Sequence, residues 1–162
     1  MGYVGNNLMK DEELVHESHI HWFIFIPSII FLILALASSG GYFYLVDSDY
    51  SNYKYTPLIP TGIFALMSLV SLTKSFFKRK SIEVAVTSKR VIYKTGLVRR
   101  NTIELNHSKV ESFSVEQTIL GRIFDYGTLI INGTGGGKTT IPGLDDPLEF
   151  RKEAMQVIDE QG

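Results

Sequence analysis

Two long apolar stretches, 22–46 and 58–77, restrict the possible folds of this chain more than any other feature. An α-helix rises about 1.5 Å per residue, so roughly 20 residues are needed to cross a hydrocarbon core of about 30 Å. The two stretches contain 25 and 20 residues, and Lys74, near the end of the second, is the only charged residue in either. A lysine there can extend its ammonium group to the headgroups. The sequence therefore predicts two transmembrane helices.

Charged residues are distributed unevenly around these stretches. The formal net charge is -1, yet segment 74–100 carries nine basic residues and one acidic residue, whereas segments 1–21 and 101–162 are both net acidic. Because lysine and arginine beside membrane helices are retained in the cytoplasm, we expect the second helix to end on the cytoplasmic side. Two spans then place both termini in the cytoplasm, with 1–21 as a juxtamembrane segment, and make 47–57 an extracytoplasmic loop.

A cleaved signal peptide is the alternative interpretation of the first apolar stretch. Ala35-Leu36-Ala37 matches the small-x-small pattern of a cleavage site. Against cleavage, segment 1–21 is long and acidic where a signal peptide has a basic region, and apolar residues resume after Gly41 to complete a membrane-crossing length. A membrane-spanning helix is therefore the preferred prediction, and the two spans are expected to pack as a helical hairpin.

Residues 81–162 follow a different pattern. Short runs rich in β-branched and aromatic residues alternate with turn residues, which is typical of antiparallel strands, and six or seven strands fit between 82 and 143. A C-terminal helix is expected to begin near Pro147, with Asp145 or Asp146 as its cap. We therefore predict an α+β membrane protein whose small β-domain occupies 81–162 in the cytoplasm. The apolar face of its helix comprises Phe150, Ala154, Val157 and Ile158.

Several short runs in this region match a known family in order. They are Val86 to Leu97, Lys109 to Ser112, Val115 with Gln117, Leu120-Gly121-Arg122, Tyr126-Gly127-Thr128, Gly133 to Gly136 and Pro147 to Arg151. In these runs the chain resembles the bacterial membrane-anchored pleckstrin-homology-like (bPH) proteins of the YdbS-like group. The resemblance implies a PH-like antiparallel β-barrel or sandwich with a C-terminal capping helix, at the cytoplasmic face of the bacterial inner membrane. It implies no reaction, because members of this group generally lack an assigned activity.

No motif in the chain indicates catalysis. Residues 132–139 resemble a phosphate-binding loop, but Asn132 stands where the first glycine is required, so a glycine-rich hairpin turn is predicted and no nucleotide. The irregular spacing of His16, His19 and His21 does not indicate a metal site, and the chain has no cysteine for disulfide or thiolate chemistry. Because the chain beyond the basic segment is acidic and no recognition helix is evident, we expect no nucleic-acid partner, and we expect no enzyme activity, metal or cofactor.

Two functions remain. In the first, the chain is a non-catalytic scaffold that assembles with itself or with other membrane proteins, since pleckstrin-like sheets are partly open and can accept a partner strand. In the second, it senses anionic lipids, because each basic residue beside the bilayer contributes about 1 kcal/mol of attraction. Strand alternation would direct Arg99 and Arg100 to opposite faces, which weakens the second function. The candidate lipid contacts are Lys74, Lys78, Arg79, Lys80, Lys89, Arg90, Lys94, Arg99 and Arg100.

Overall fold

The computed structural model describes residues 3–46, 53, 55–96 and 99–161. Most of the predicted loop 47–57 and the turn residue Leu97 therefore lie outside the described residues. The chain forms two compact units: a helical unit, Ile24–Phe77, and a mixed unit that combines Met1–Phe23 with Lys78–Gly162. We call the second unit the domain.

Two long helices follow the predicted apolar stretches. Helix α2 runs from Ile26 to Val46 after a 3-10 turn at Trp22–Phe25, and α3 runs from Leu58 to Ser81. Pro27 stands in the first turn of α2, where a missing backbone N–H leaves no helical hydrogen bond unmade. Both helices are long and apolar enough to cross a membrane. The prediction of two long apolar helices is confirmed, and the second extends four residues beyond 77. That they cross a membrane stays a prediction.

Serine side chains join these two helices. The Ser28 hydroxyl lies 3.0 Å from that of Ser71, and the Ser68 hydroxyl donates to the Ser28 carbonyl oxygen at 2.9 Å. One turn further along α3, the Ser75 hydroxyl donates to the carbonyl oxygen of Ile24 at 2.9 Å. Small side chains allow close approach of apolar helices, and their hydroxyls add hydrogen bonds. The predicted packing of the two helices as a hairpin is confirmed.

Seven strands and three short or medium helices build the described part of the domain. Its first sheet has the antiparallel order β1-β2-β3-β4 and its second the order β5-β6-β7. The strands are β1 Leu14–His19, β2 Glu83–Thr87, β3 Arg90–Thr95, β4 Asn101–Asn106, β5 Val110–Glu116, β6 Tyr126–Gly133 and β7 Lys138–Asp145. The helices are α1 Tyr3–Asn6, α4 Ile119–Ile123 and α5 Pro147–Gln161.

The two sheets meet at one corner and do not close. Ile20 forms an isolated bridge with Leu144, and the His21 N–H donates to the Gly143 carbonyl oxygen at 2.9 Å. At the other side, β4 and β5 follow one another through a short 3-10 turn but do not pair. The expectation of a β-barrel is therefore wrong. The domain has two antiparallel sheets, and its C-terminal helix contacts both.

Helix α5 and the glycine-rich turn agree with the sequence. The Glu149 N–H donates to Asp146 Oδ1 at 3.3 Å, and Phe150 and Ala154 of the helix are fully buried. Gly135 and Gly136, between β6 and β7, have φ of +97° and +82°, values that glycine adopts without a side-chain clash. The capped helix with its buried face and the β-hairpin are both confirmed.

The N-terminal segment belongs to the domain. That residues 1–21 lie in the cytoplasm beside the membrane stays a prediction. Strand β1 pairs along β2 and completes the first sheet, while Val4 and Leu8 pack on Ala85 and Ile92. Both faces of β2 are consequently buried. A strand rich in histidine and glutamate has a weak apolar alternation, so its pairing with a strand almost 70 residues away was not evident from the sequence.

Candidate functional site

The outer face of the first sheet carries the basic side chains of β3. Because side chains alternate along a strand, Arg90, Ile92 and Lys94 share this face. Lys94 Nζ lies 3.0 Å from Glu83 Oε1 on the paired strand, and Lys94 is 8% exposed. The N-terminal segment packs on the same face, because its Val4 contacts Ile92.

Arg90 lies at the centre of a polar network, which also includes the buried residues Glu12 and Thr87 and the exposed Glu104. Its Nε and Nη2 donate to the two carboxylate oxygens of Glu12 at 3.0 and 2.9 Å, and its Nη1 donates to Glu104 Oε2 at 2.6 Å. The Thr87 hydroxyl is 2.7 Å from Glu12 Oε1. Arg90 is 5% exposed. This Arg90 network attaches the N-terminal segment to the sheet.

The network also determines the ionisation of Glu12. Burial alone would raise the pKa of its carboxyl group, but the Met9 N–H, the Thr87 hydroxyl and the Arg90 guanidinium all stabilise the carboxylate. Their combined effect is larger, and the pKa of Glu12 falls below its ordinary value of 4.5. The carboxylate and guanidinium therefore form a charged pair in the folded domain.

Arg90 and Lys94, two of the candidate lipid contacts, are buried and paired with carboxylates. Their charges are compensated by Glu12, Glu104 and Glu83 inside the domain, and separating such a pair to reach a headgroup would leave a buried carboxylate unpaired. Lipid contact by Arg90 and Lys94 therefore stays a prediction, and their burial and ion pairs oppose it.

The remaining basic candidates are exposed. Lys78, Arg79 and Lys80 occupy the last turn of α3, where positive charge also complements the helix dipole. Lys89 is exposed and its Nζ donates to the Lys10 carbonyl oxygen at 2.9 Å. Lys74 is an exposed residue of α3 within the helical unit.

Arg99 and Arg100 require a second correction. Both are exposed, but β4 begins only at Asn101. Strand alternation therefore does not apply to this pair, and the argument that the two side chains must point to opposite faces is wrong. The pair can still belong to one surface.

An open pocket of about 530 Å³ lies beside the Arg90 network. His107 is 6% exposed, and its Nε2 lies 2.9 Å from the Thr87 carbonyl oxygen. Since a carbonyl only accepts, Nε2 carries a hydrogen, and Nδ1 has no hydrogen-bond partner within the described part of the chain. The pocket is lined by Met9, Lys89, Arg90, Asn106, His107, Ser108 and Ile158.

The three N-terminal histidines make separate contacts. His16 packs edge-on against Phe150, His19 lies 3.7 Å from Glu17, and His21 stacks on Tyr126. No group of three candidate metal ligands occurs among the described residues.

Free strand edges form another candidate surface. Strand β5 pairs with β6 on one side and with no strand on the other among the described residues. Its residues Ser112 and Ser114 are exposed, and α5 contacts the same strand. An unpaired edge presents backbone N–H and C=O groups that a strand of another chain can use.

A short apolar helix, α4, was missed by the sequence analysis. Thr118 caps it by accepting a hydrogen bond from the Gly121 N–H at 3.1 Å, and Ile119 and Ile123 are 80% and 65% exposed. Phe124, which follows the helix, contacts the rings of Trp22 and Phe23. A threonine before a run of helix-compatible residues was the available signal.

These features define a small two-sheet domain joined in sequence to two long apolar helices. A model of the family described as bacterial PH domain matches residues 22–156. The chain therefore belongs to the bacterial PH-domain family, as the resemblance in its sequence indicated. Searches of curated proteins and of solved structures found no match. The matched region begins after β1, so the strand that completes the first sheet lies outside it.

Proposed function

We propose that this protein is a non-catalytic scaffold, anchored by α2 and α3 in the bacterial inner membrane, whose domain assembles with itself or with another membrane protein at the cytoplasmic face. Family membership supports an interaction role, because PH domains are generally non-catalytic modules that bind lipids or proteins. The free edge of β5 is the observation that favours a protein partner. A strand added there would gain backbone hydrogen bonds to β5.

The pairing of two strands that are separated in sequence by α2 and α3 supports the membrane anchoring. Strand β1 precedes α2 and β2 follows α3, yet the two strands are neighbours in one sheet. An even number of spans leaves both strands on the same side of a membrane. Cleavage after Ala37 would separate β1 from its sheet, which argues against a removable signal peptide.

Contact with anionic lipid is the second candidate function. Three exposed basic residues end α3, and Lys89, Arg99 and Arg100 are exposed in the domain. Their attraction to an anionic surface would orient the domain without a specific headgroup site, and it would weaken with added salt.

The mass and composition of the particle extracted in native lipid distinguish the two functions. Measurement of its mass, with its proteins and lipids identified, should show a defined homo-oligomer or hetero-complex if the scaffold proposal is correct. A monomer enriched in anionic lipid, with that enrichment lost in a Lys89→Gln, Arg99→Gln, Arg100→Gln variant, would instead support the lipid function.

A matched pair of substitutions tests the β5 edge. Ser114 and Thr140 are both exposed and stand in one cross-strand row, on either side of Ile130. Lysine on an edge strand opposes further pairing, so Ser114→Lys should lower the recovery of the complex, whereas Thr140→Lys on β7 should not. An intact complex with Ser114→Lys, at an unchanged melting temperature, would contradict the β5 assignment.

A further inference from the structure

Helix α4 presents a concentrated apolar surface. Ile119, Leu120, Ile123 and Phe124 are 80%, 50%, 65% and 42% exposed within six consecutive residues. Isolated exposed apolar residues are ordinary on a protein surface, but a contiguous group indicates a partner or a membrane. Arg122, also exposed, supplies a positive charge between them, a combination typical of helices that lie in a membrane interface.

The domain holds this surface in a fixed position. The Gln117 side-chain amide donates to the carbonyl oxygens of Gly121 and Tyr126 at 3.3 and 3.2 Å. A Cβ at the buried Gly121 would lie 2.5 Å from the Tyr126 carbonyl oxygen, so this glycine permits the close approach of the helix to the sheet. The exposed isoleucines are thus the outer side of a well-anchored turn.

The α4 surface is continuous with Trp22 and Phe23, the last residues of the domain before the helical unit. Phe124 meets Trp22 edge-on at 6.2 Å and Phe23 at 5.6 Å between ring centroids, and Phe23 stacks on Tyr126 at 4.4 Å. Trp22 begins the apolar span 22–46, and it is 43% exposed. Tryptophan at the end of a span favours the level of the headgroups. A side chain in ring contact with Trp22 is therefore close to that level too.

From this continuity we infer that α4 and Trp22 together form an interfacial membrane anchor, with Ile119, Leu120, Ile123 and Phe124 inserted among the lipid headgroups. The inference rests on the proposed membrane anchoring, and it adds a second attachment point to it. A lipid surface is favoured over a protein partner because the neighbouring Trp22 is itself the first residue of a span. The anchor differs from the basic contacts, since apolar burial does not weaken with salt.

Site-directed fluorescence can test the anchor in the full chain, because it has no cysteine and one tryptophan. In the Ile123→Cys variant the new cysteine is labelled with the fluorophore NBD. The labelled protein is then reconstituted in vesicles of phosphatidylcholine and phosphatidylglycerol. Nitroxide lipids labelled near the headgroup should quench this probe strongly. Met155→Cys, on the exposed side of α5, is the matched control and should keep its fluorescence. The intrinsic fluorescence of Trp22 should be quenched together with the probe at 123.

A third probe separates failure of the anchor from failure of the proposed function. Ile33→Cys, in α2, should be quenched by nitroxides deep in the bilayer. Quenching at 33 without quenching at 123 would overturn the α4 anchor and leave membrane anchoring intact. A blue-shifted but unquenched probe at 123 would also overturn it, since a protein or a second copy would then cover α4. No quenching at 33 would overturn both proposals.

Discussion

Glu12 gives a direct test of the Arg90 network. The change Glu12→Gln removes one of the two carboxylates that balance the positive charge of the buried Arg90 guanidinium. Removal of one partner from a buried ion pair costs about 3–5 kcal/mol of stability. We expect a loss near 3 kcal/mol, because Glu104 still accepts from Arg90. Thermal unfolding of the purified full chain measures the loss. The neighbouring exposed residue provides a control, and Glu13→Gln should change the melting temperature little.

The same carboxyl group predicts how stability depends on pH. Because the pKa of Glu12 is lowered in the folded domain, the stabilisation is fully present above its ordinary value of 4.5 and is lost as the pH falls through the folded-state pKa. The difference in melting temperature between the wild-type chain and Glu12→Gln should therefore be largest at neutral pH and shrink under acidic conditions. A difference that grew on acidification would show that Glu12 is not held as a carboxylate.

Alanine substitutions at two glycines test how tightly α4 packs against the sheet. An alanine at Gly121 brings its Cβ against the Tyr126 carbonyl oxygen, whereas one at Gly137 has open space around it. Overpacking of this kind costs about 1–3 kcal/mol, so Gly121→Ala should lower the melting temperature and Gly137→Ala should not. Equal melting temperatures would mean that α4 can move away from the sheet without penalty.

Single-residue reasoning from the sequence located the basic residues but could not predict their burial. Lys89, Arg90 and Lys94 are neighbours in one basic segment, yet Lys89 is exposed and the other two are buried. The difference arises because Arg90 and Lys94 share the face that the N-terminal segment covers, and Glu12 is separated from Arg90 by 78 positions. A contact at that distance leaves no local signal.

Among the elements, the most predictable were those with strong periodicity or distinctive turn residues. The apolar helices, the β6–β7 hairpin and α5 follow from length, glycine content and helical spacing. Strand β1 was missed because it is rich in polar side chains, which form hydrogen bonds within the domain. The Ser18 hydroxyl, for example, donates to the Asp145 carbonyl oxygen at 2.7 Å. Helix α4 was missed because five residues are too few to establish a helical period.

Strand β1 leads to a prediction about the independence of the domain. A fragment comprising 78–162 lacks the strand that pairs with β2 and the residues that cover Ala85 and Ile92. It should be aggregated or poorly folded, as judged by the dispersion of its amide resonances. Addition of a peptide comprising residues 1–23 should restore dispersion. A well-folded fragment without the peptide would show that β1 is dispensable.

At the scale of the whole molecule, the order of elements connects folding with membrane topology. The domain is assembled from chain segments on both sides of the helical unit. It can be completed only after α3 has been synthesised, because β2 to β7 follow that helix. If α2 and α3 span the membrane, residues 3–23 must remain on the same side as β2, and the basic end of α3 selects the cytoplasm for both.

Cysteine labelling can determine this orientation, since the natural chain has no cysteine to interfere. Ser51→Cys lies in the predicted extracytoplasmic loop, and Ser108→Cys lies on an exposed turn of the domain. In intact spheroplasts a membrane-impermeant maleimide should modify position 51 and not position 108, and after lysis it should modify both. Labelling of position 108 alone before lysis would reverse the orientation and would mean that the basic residues after α3 do not set it. Labelling of both positions before lysis would place β1 and β2 outside the cytoplasm or show that the helices do not span. The cytoplasmic scaffold therefore requires protection of position 108 together with exposure of position 51.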